Sequence, residues 1–389
     1  MSRPAEYRFV QALDVLFLRG NKLFGDPGSH GESLIPPWPS VAAGALRSRI
    51  LVDDGFDLGA FARAQLEHPA LGTPQRPGSF AITHFSLGRV NADGRAEVIA
   101  TLPDDVVITE DADGKIASVS LLHPQALSAA IQSSAPTPML PVLAQAERGK
   151  AAGGYWLTAK GFAQYLAGET PAQDTLLKSN ALWSIDTRVG VGLDPATRSA
   201  ADGHLFSMQA VGLRPEVGFI IGAAGAALPL RGMLRLGGDG RAAAISSATV
   251  SPVPQIALSS LAQTQRARIV LTSPGVFENG WLPNGIVTDS AGEFRIDLPG
   301  ISARLVSAAV SRPETISGWD LALNEPKPAE LAAPAGSVYW FDQLQATPDA
   351  LGKLADLGLW GDRSDTAEHA RQAQRRAEGF NRFAWAAWR

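Results

Sequence analysis

Short apolar runs alternate with Gly/Pro punctuation along the chain, and their periods predict both strands and helices. Residues 14–18 (DVLFL) form a mostly apolar run bounded by Arg19 and Gly20, which predicts a buried strand. Residues 20–39 hold four Gly and four Pro and predict a loop. Pro39-Ser40 then opens a helical run through Val41, Gly44, Ala45 and Leu46 that ends near Arg47 and Arg49. Further strands are predicted at residues 80–90, 96–102 and 106–108, the last entering a hairpin around Asp113-Gly114, a type I′ turn signal. Helices are predicted at residues 158–167, with Thr158 as cap, and at residues 171–179. Residues 188–211 have strand-like ends around Asp194-Pro195 and Asp202-Gly203, the pattern of a long projecting β-hairpin. No internal repeat or low-complexity tract interrupts this, and a composition shift at residues 222–229 suggests a domain boundary.

Composition narrows the class. With 389 residues, 45% hydrophobic and 19% charged, the chain has ample material for two globular domains. A net charge of −4 argues against a general nucleic-acid coater, so any RNA contact must come from local patches. The opening MSRPAEYRF lacks a signal-peptide apolar core, and the longest apolar stretch, residues 217–230, is too short to span a bilayer. A cytoplasmic protein without membrane contact is expected. Zero Cys removes thiol catalysis, disulfides and Cys-ligated zinc.

The search for catalytic chemistry is mostly negative. The six His never pair at HxxxH spacing, so no metal site is expected, and no G-x-S-x-G, P-loop or dinucleotide fingerprint occurs. The string LGGDGR, residues 236–241, contains a GGD turn but lacks the following acid of a cyclase. It offers instead three Gly in five residues, with Arg231, Arg235 and Arg241 around them, which lets backbone amides approach a phosphate or base. The predicted helix start at Pro39 favours anions, and Arg19, Lys22 and His30 lie in the loop before it, so phosphate is the natural ligand there. An acidic hairpin tip (Glu110, Asp111, Asp113) would repel phosphate and belongs away from nucleic acid. The last 27 residues hold six Arg against three acids, with Phe380, Phe383, Trp385 and Trp388. Core packing of those aromatics is the first reading, as it is for Trp281, Trp319, Trp340 and Trp360, with an RNA surface as the alternative for the C-terminal segment.

Several ordered stretches carry a resemblance: DVLFLRG, SLIPPWPSVAAGALRSRI, TRVGVGLDPATRSAADGHLFSMQAV, LRLGGDGRAA, ISGWDL, EPKPAELAAPAGSVYWF and RRAEGFNRFAWAAW. Together the chain resembles the Cmr-type subunits of the Cas five group in type III-B CRISPR effector complexes, members of the RAMP superfamily. The resemblance implies an α+β fold of two ferredoxin-like, RRM-type domains, at residues 1–222 with a thumb hairpin near 188–211, and at residues 223–389 with the glycine-rich loop 236–241. It implies a non-catalytic subunit without cofactor that grips the repeat-derived 5′ handle of the CRISPR RNA, bridges the Cas10 large subunit to the first backbone subunit and meets target RNA only indirectly. Carried onto this chain, the glycine-rich loop is Gly237, Gly238, Gly240 and Arg241. The expected RNA contacts are led by Arg188 and Arg241, then Arg19, Lys22 and Arg47, with His30 and Arg198 last. The thumb residues to wedge between handle and guide are Leu205, Phe206 and Met208. Departures from the family pattern are Asp239 for Glu, PPWP for PPPP and Glu378 for Gln. Two rivals stand beside this reading: a metal-independent RNA-processing endonuclease using His30, and a scaffold that only joins proteins.

Overall fold

The first strand, β1 (Glu6–Ala12), lies ahead of the apolar run at residues 14–18, of which Leu16, Phe17 and Leu18 are buried but belong to no continuous strand. The polar-interleaved string EYRFVQA hides a strand covered on both faces, because Phe9 and Val10 are consecutive and both fully buried. The computed structural model describes residues 5–20, 30–128, 130–144, 150–194, 196–320, 323–361 and 367–389, and gives a mixed α+β chain dominated by antiparallel strands. It divides into two compact units of interleaved segments: unit 1 from residues 1–96, 180–250 and 315–330, unit 2 from residues 97–179, 251–314 and 331–389.

In unit 1 the helix α1 (Pro39–Asp53) outruns its predicted end and packs Ala42, Ala43, Leu46, Ile50 and Leu51 inward. The strands are β2 (Ala81–Val90), β3 (Trp183–Leu193), β4 (Ala200–Leu213), β5 (Val217–Ala224), β6 (Gly232–Arg235) and β7 (Ala242–Ile245). The sheet runs β2-β5-β1-β7-β6, with β1 antiparallel to both neighbours (Val10↔Phe219 and Val10↔Ile245). Residue 222 lies inside β5, so the division between the units is not a single linker at residues 222–229. β3 and β4 form the expected long hairpin, in register from Trp183↔Leu213 to Val191↔Leu205.

Unit 2 holds a six-stranded antiparallel sheet with the long strands Ile301–Ala309 and Val338–Ala346 near its middle. Thr158 caps the helix Ala159–Leu166 as expected, its side chain accepting the Gly161 N–H at 3.3 Å. The predicted helix at 171–179 is a correction: only one 3-10 turn forms, Gln173–Thr175, before Leu176–Lys178 pair as a strand with Tyr155–Thr158. The gain from joining that ladder and burying Leu176 outweighs local helix preference. The acidic tip is internally satisfied. Glu110 accepts from Lys178 at 2.8 Å and from the Tyr155 hydroxyl at 2.5 Å, and these bonds hold its carboxyl below the usual range. The C-terminal aromatics Phe380, Phe383 and Trp385 are buried as expected, as are Trp340 and Trp360, whereas Trp319 in unit 1 is 51% exposed. No helix among the described residues is long and apolar enough to cross a membrane, and no group of three His, Cys, Asp or Glu among them is disposed to hold a metal.

Candidate nucleic-acid interface

The buried run after β1 is a hub. The Leu13 N–H donates to the Ala242 carbonyl at 3.1 Å, and Leu16 exchanges two backbone bonds with Val211 at the base of the hairpin, 2.9 and 2.8 Å. The Phe17 carbonyl accepts the Gly238 N–H at 2.8 Å, and the Leu18 carbonyl accepts the Leu34 N–H at 2.7 Å. Ser33 adds a side-chain clasp, donating from Oγ to the Gln209 carbonyl and from its backbone N–H to Gln209 Oε1. Six residues of extended chain therefore tie together the glycine-rich loop, the hairpin and the segment that leads into α1. Partners from four separate segments bond five of its backbone groups, which takes the place of a neighbouring strand.

The loop itself closes with the Leu236 N–H on the Arg241 carbonyl at 2.9 Å. Gly237, Asp239 and Gly240 all have positive φ, at 80°, 57° and 64°. A side chain at Gly237 would put Cβ 2.7 Å from the Phe17 carbonyl oxygen, so glycine is demanded there by close approach. Asp239 occupies the left-handed region, which a short polar side chain tolerates better than the Glu of the family pattern. At the tip, the N–H groups of Asp239 and Gly240 bond nothing among the described residues, and the space beside Gly240 is open to 4 Å. Two unpaired donors on an exposed turn are a ready anion or base-edge site.

The cations around this loop are latched. Arg241 donates to Asp14 Oδ2 at 3.0 Å and lies over the Phe17 ring, 4.9 Å from its centroid. Arg19 reaches Asp239 Oδ1 at 3.2 Å, and Arg188 pairs with Asp186 on its own strand at 2.9 Å. All three pairs are at least partly solvated, in the range where an ion pair contributes under about 1 kcal/mol and an incoming phosphate can compete. Arg198 sits exposed at the hairpin tip, in a turn closed by Asp194, whose carboxyl is held low by the N–H groups of Thr197 and Ala196.

Other expected contacts lie elsewhere. Arg47 is held over the Phe80 ring, 5.6 Å away, just ahead of β2, which β5 and β1 separate from the β6–β7 pair in the sheet order. The backbone of His30 pairs in parallel with β4 opposite Ser207, which sets that position beside the hairpin. Lys22 lies outside the described residues. The start of α1 has Trp38 as N-cap with no side-chain cap and no acid in its first turn.

The three thumb residues do not act as one surface. Leu205 is 59% exposed and shares a face with Val189 (68%), Val191 and Leu193, an uncovered aliphatic row. Phe206 and Met208 project from the opposite face, half-buried, with the Phe206 ring lying across Gly190 and Met208 opposite Arg188. Sequence reading missed Asp14 and Asp186 as latches and Gln209 as the clasp. The Asp186–Arg188 spacing of two was a usable signal, because it sets both on one face of a strand.

A glycine-rich loop is thus seated on the chain after the first strand, at the foot of the long hairpin. The chain belongs to the family described as CRISPR-associated protein (Cas_Cmr3), whose model matches residues 8–388. That makes it a Cmr-type subunit of type III-B CRISPR effectors. Two solved structures contain similar chains, at a TM-score of 0.48 each. One is "Cryo-EM structure of the Type III-B Cmr-beta bound to cognate target RNA and AMPPnP, state 1", with 13% identity over 97% of this chain and 96% of that one. The other is "Cryo-EM structure of the Type III-B Cmr-beta bound to cognate target RNA", with 14% identity over the same shares. No curated protein matches the chain.

Proposed function

We propose that the loop and hub of unit 1 bind and cap the repeat-derived 5′ handle of the CRISPR RNA, and that the chain bridges the Cas10 large subunit to the first backbone subunit without turning the RNA over. On this reading the two units are RRM-type, ferredoxin-like domains of a cytoplasmic ribonucleoprotein that meets target RNA indirectly. The observation that carries it is the pair of N–H groups at Asp239 and Gly240 that bond nothing among the described residues, beside Arg19 and Arg241, whose ion pairs are partly solvated. Single-stranded RNA is read through splayed bases, backbone amides and a few cations, so an acidic chain with one such local site suffices. The hairpin then separates handle from guide. Its Arg188 face suits the RNA backbone.

The uncovered aliphatic row on the other hairpin face favours a second reading, a scaffold that docks proteins and leaves RNA to them. The discriminating experiment is equilibrium binding of the purified chain, alone and with its large-subunit partner, to CRISPR RNA with and without the 5′ handle. Handle-dependent binding that Arg241→Glu weakens by about 10- to 100-fold, the loss of one charge-assisted contact, supports capping. Equal weak binding to both RNAs selects the scaffold. Metal-free cleavage of repeat RNA that His30→Ala abolishes would overturn the non-catalytic reading.

A further inference from the structure

We propose that Arg231, just ahead of the edge strand β6, and Met233 and Arg235 on that strand form a second contact strip that carries single-stranded RNA onward from the glycine-rich loop. The proposal rests on the RNA-binding reading above and extends it to residues outside the loop.

β6 closes the β7 side of the sheet, and its residues alternate. Leu234 is buried inward, while Arg231, Met233 (63% exposed) and Arg235 project outward. Opposite Met233 and Arg235 on β7 stand Ala244 and Ala242, whose side chains are single methyl groups. Arg231 and Arg235 have no hydrogen bond or ion pair among the described residues, in contrast to Arg19, Arg188 and Arg241. No carboxylate occurs from Leu230 to Gly238. The strip runs straight into Leu236 and the loop, so its cations and the free N–H groups of Asp239 and Gly240 lie on one continuous stretch of chain.

One backbone acceptor of this edge is already taken. Arg49, itself tied to Asp53 at 2.8 Å, donates to the Met233 carbonyl at 3.0 Å, and Gly232 at φ 116° leaves room for that guanidinium. A protein strand added here would have to displace that bond. What stays open is side-chain chemistry: two guanidiniums carried four residues apart, with a soft thioether between them. Guanidiniums pair with phosphates, and the thioether offers apolar surface to a base or ribose.

The test titrates CRISPR RNA bearing the 5′ handle onto the full-length chain across a salt series, comparing wild type, Arg231→Glu/Arg235→Glu and Arg231→Lys/Arg235→Lys. Loss of two phosphate contacts should flatten the salt slope by about 1.4, at roughly 0.7 per contact for single strands, and weaken binding at least tenfold. The Lys pair should restore most of both. These side chains are exposed, so all variants should melt with wild type. Unchanged affinity and slope in the Glu pair, with wild type still handle-dependent, overturns the strip and leaves the loop reading intact. Wild-type binding without handle preference defeats the capping reading, while the slope difference between wild type and the Glu pair still reports the strip. If the Glu pair keeps RNA affinity but fails to co-assemble with the other effector subunits, the occupant is an acidic protein surface and the RNA assignment is wrong.

Discussion

Two regions of this chain are built from the same residue types and do opposite things. In unit 1, Arg241 lies over Phe17 next to Asp239 and Gly240, both at positive φ. In unit 2, Arg375 lies over Phe380 next to Gly379 and Asn381, again both at positive φ. In the second set the polar atoms are spent on the chain. Arg375 is 4% exposed and pairs with Glu378 at 3.2 Å. The Asn381 side chain accepts the Val276 N–H at 2.7 Å and donates to the Val276 and Leu359 carbonyls. In the first set two N–H groups bond nothing among the described residues, and the arginine is held by a partly solvated ion pair. The difference lies in where hydrogen bonds end, not in composition, and it separates a clip that secures the fold from a surface that awaits a ligand.

The sharpest way to break that comparison is to remove each arginine's charge while keeping its stem. Arg375→Met should cost about 3–5 kcal/mol, because it strips a buried carboxylate of its partner. Arg241→Met should cost under about 1 kcal/mol, as expected for a partly solvated pair. Denaturant unfolding of both variants measures this, and equal losses would mean that the loop is architecture too.

These two regions look alike in sequence because hydrogen-bond partners are remote. The Gly and Arg pattern at residues 236–241 marked an exposed loop correctly, since left-handed positions and cations are local properties. Within residues 14–18, Leu16, Phe17 and Leu18 were legible as buried, but the run was misread as a strand, because its partners Val211 and Gly238 lie about 200 residues away. The latching acid Asp14 was invisible for the same reason. Trp319 followed the general expectation that tryptophan is buried and broke it, and β1 was missed because a strand covered on both faces loses its alternation. Arg231 and Arg235 sat in plain view as neighbours of the loop. Their freedom from partners could emerge only once the other arginines were found paired.

Within the loop, two glycines sharpen the comparison further. Gly237→Ala adds a methyl group 2.7 Å from the Phe17 carbonyl at a left-handed position, and should cost about 2 kcal/mol or more while displacing the loop from the hub. Gly240→Ala meets nothing within 4 Å and carries only the conformational cost, about 1 kcal/mol. Thermal melts give the stabilities, and handle binding should fall further for Gly237→Ala. The reverse order would mean that the tip, rather than its seat, is the packed part.

The smallest expected effect is the most specific to a surface in waiting. If Asp14 merely holds Arg241 until a phosphate arrives, Asp14→Asn should strengthen RNA binding, since the complex no longer has to break that pair and one negative charge leaves the site. An exposed ion pair of this kind contributes about 0.2–1 kcal/mol, so the gain should be up to about fivefold in Kd, with little change in stability. The gain should shrink as salt screens both the latch and the repulsion. Weaker binding in Asp14→Asn would show that the Asp14–Arg241 pair orients the guanidinium for its ligand, and the loop would then resemble the C-terminal clip more than the open edge of β6.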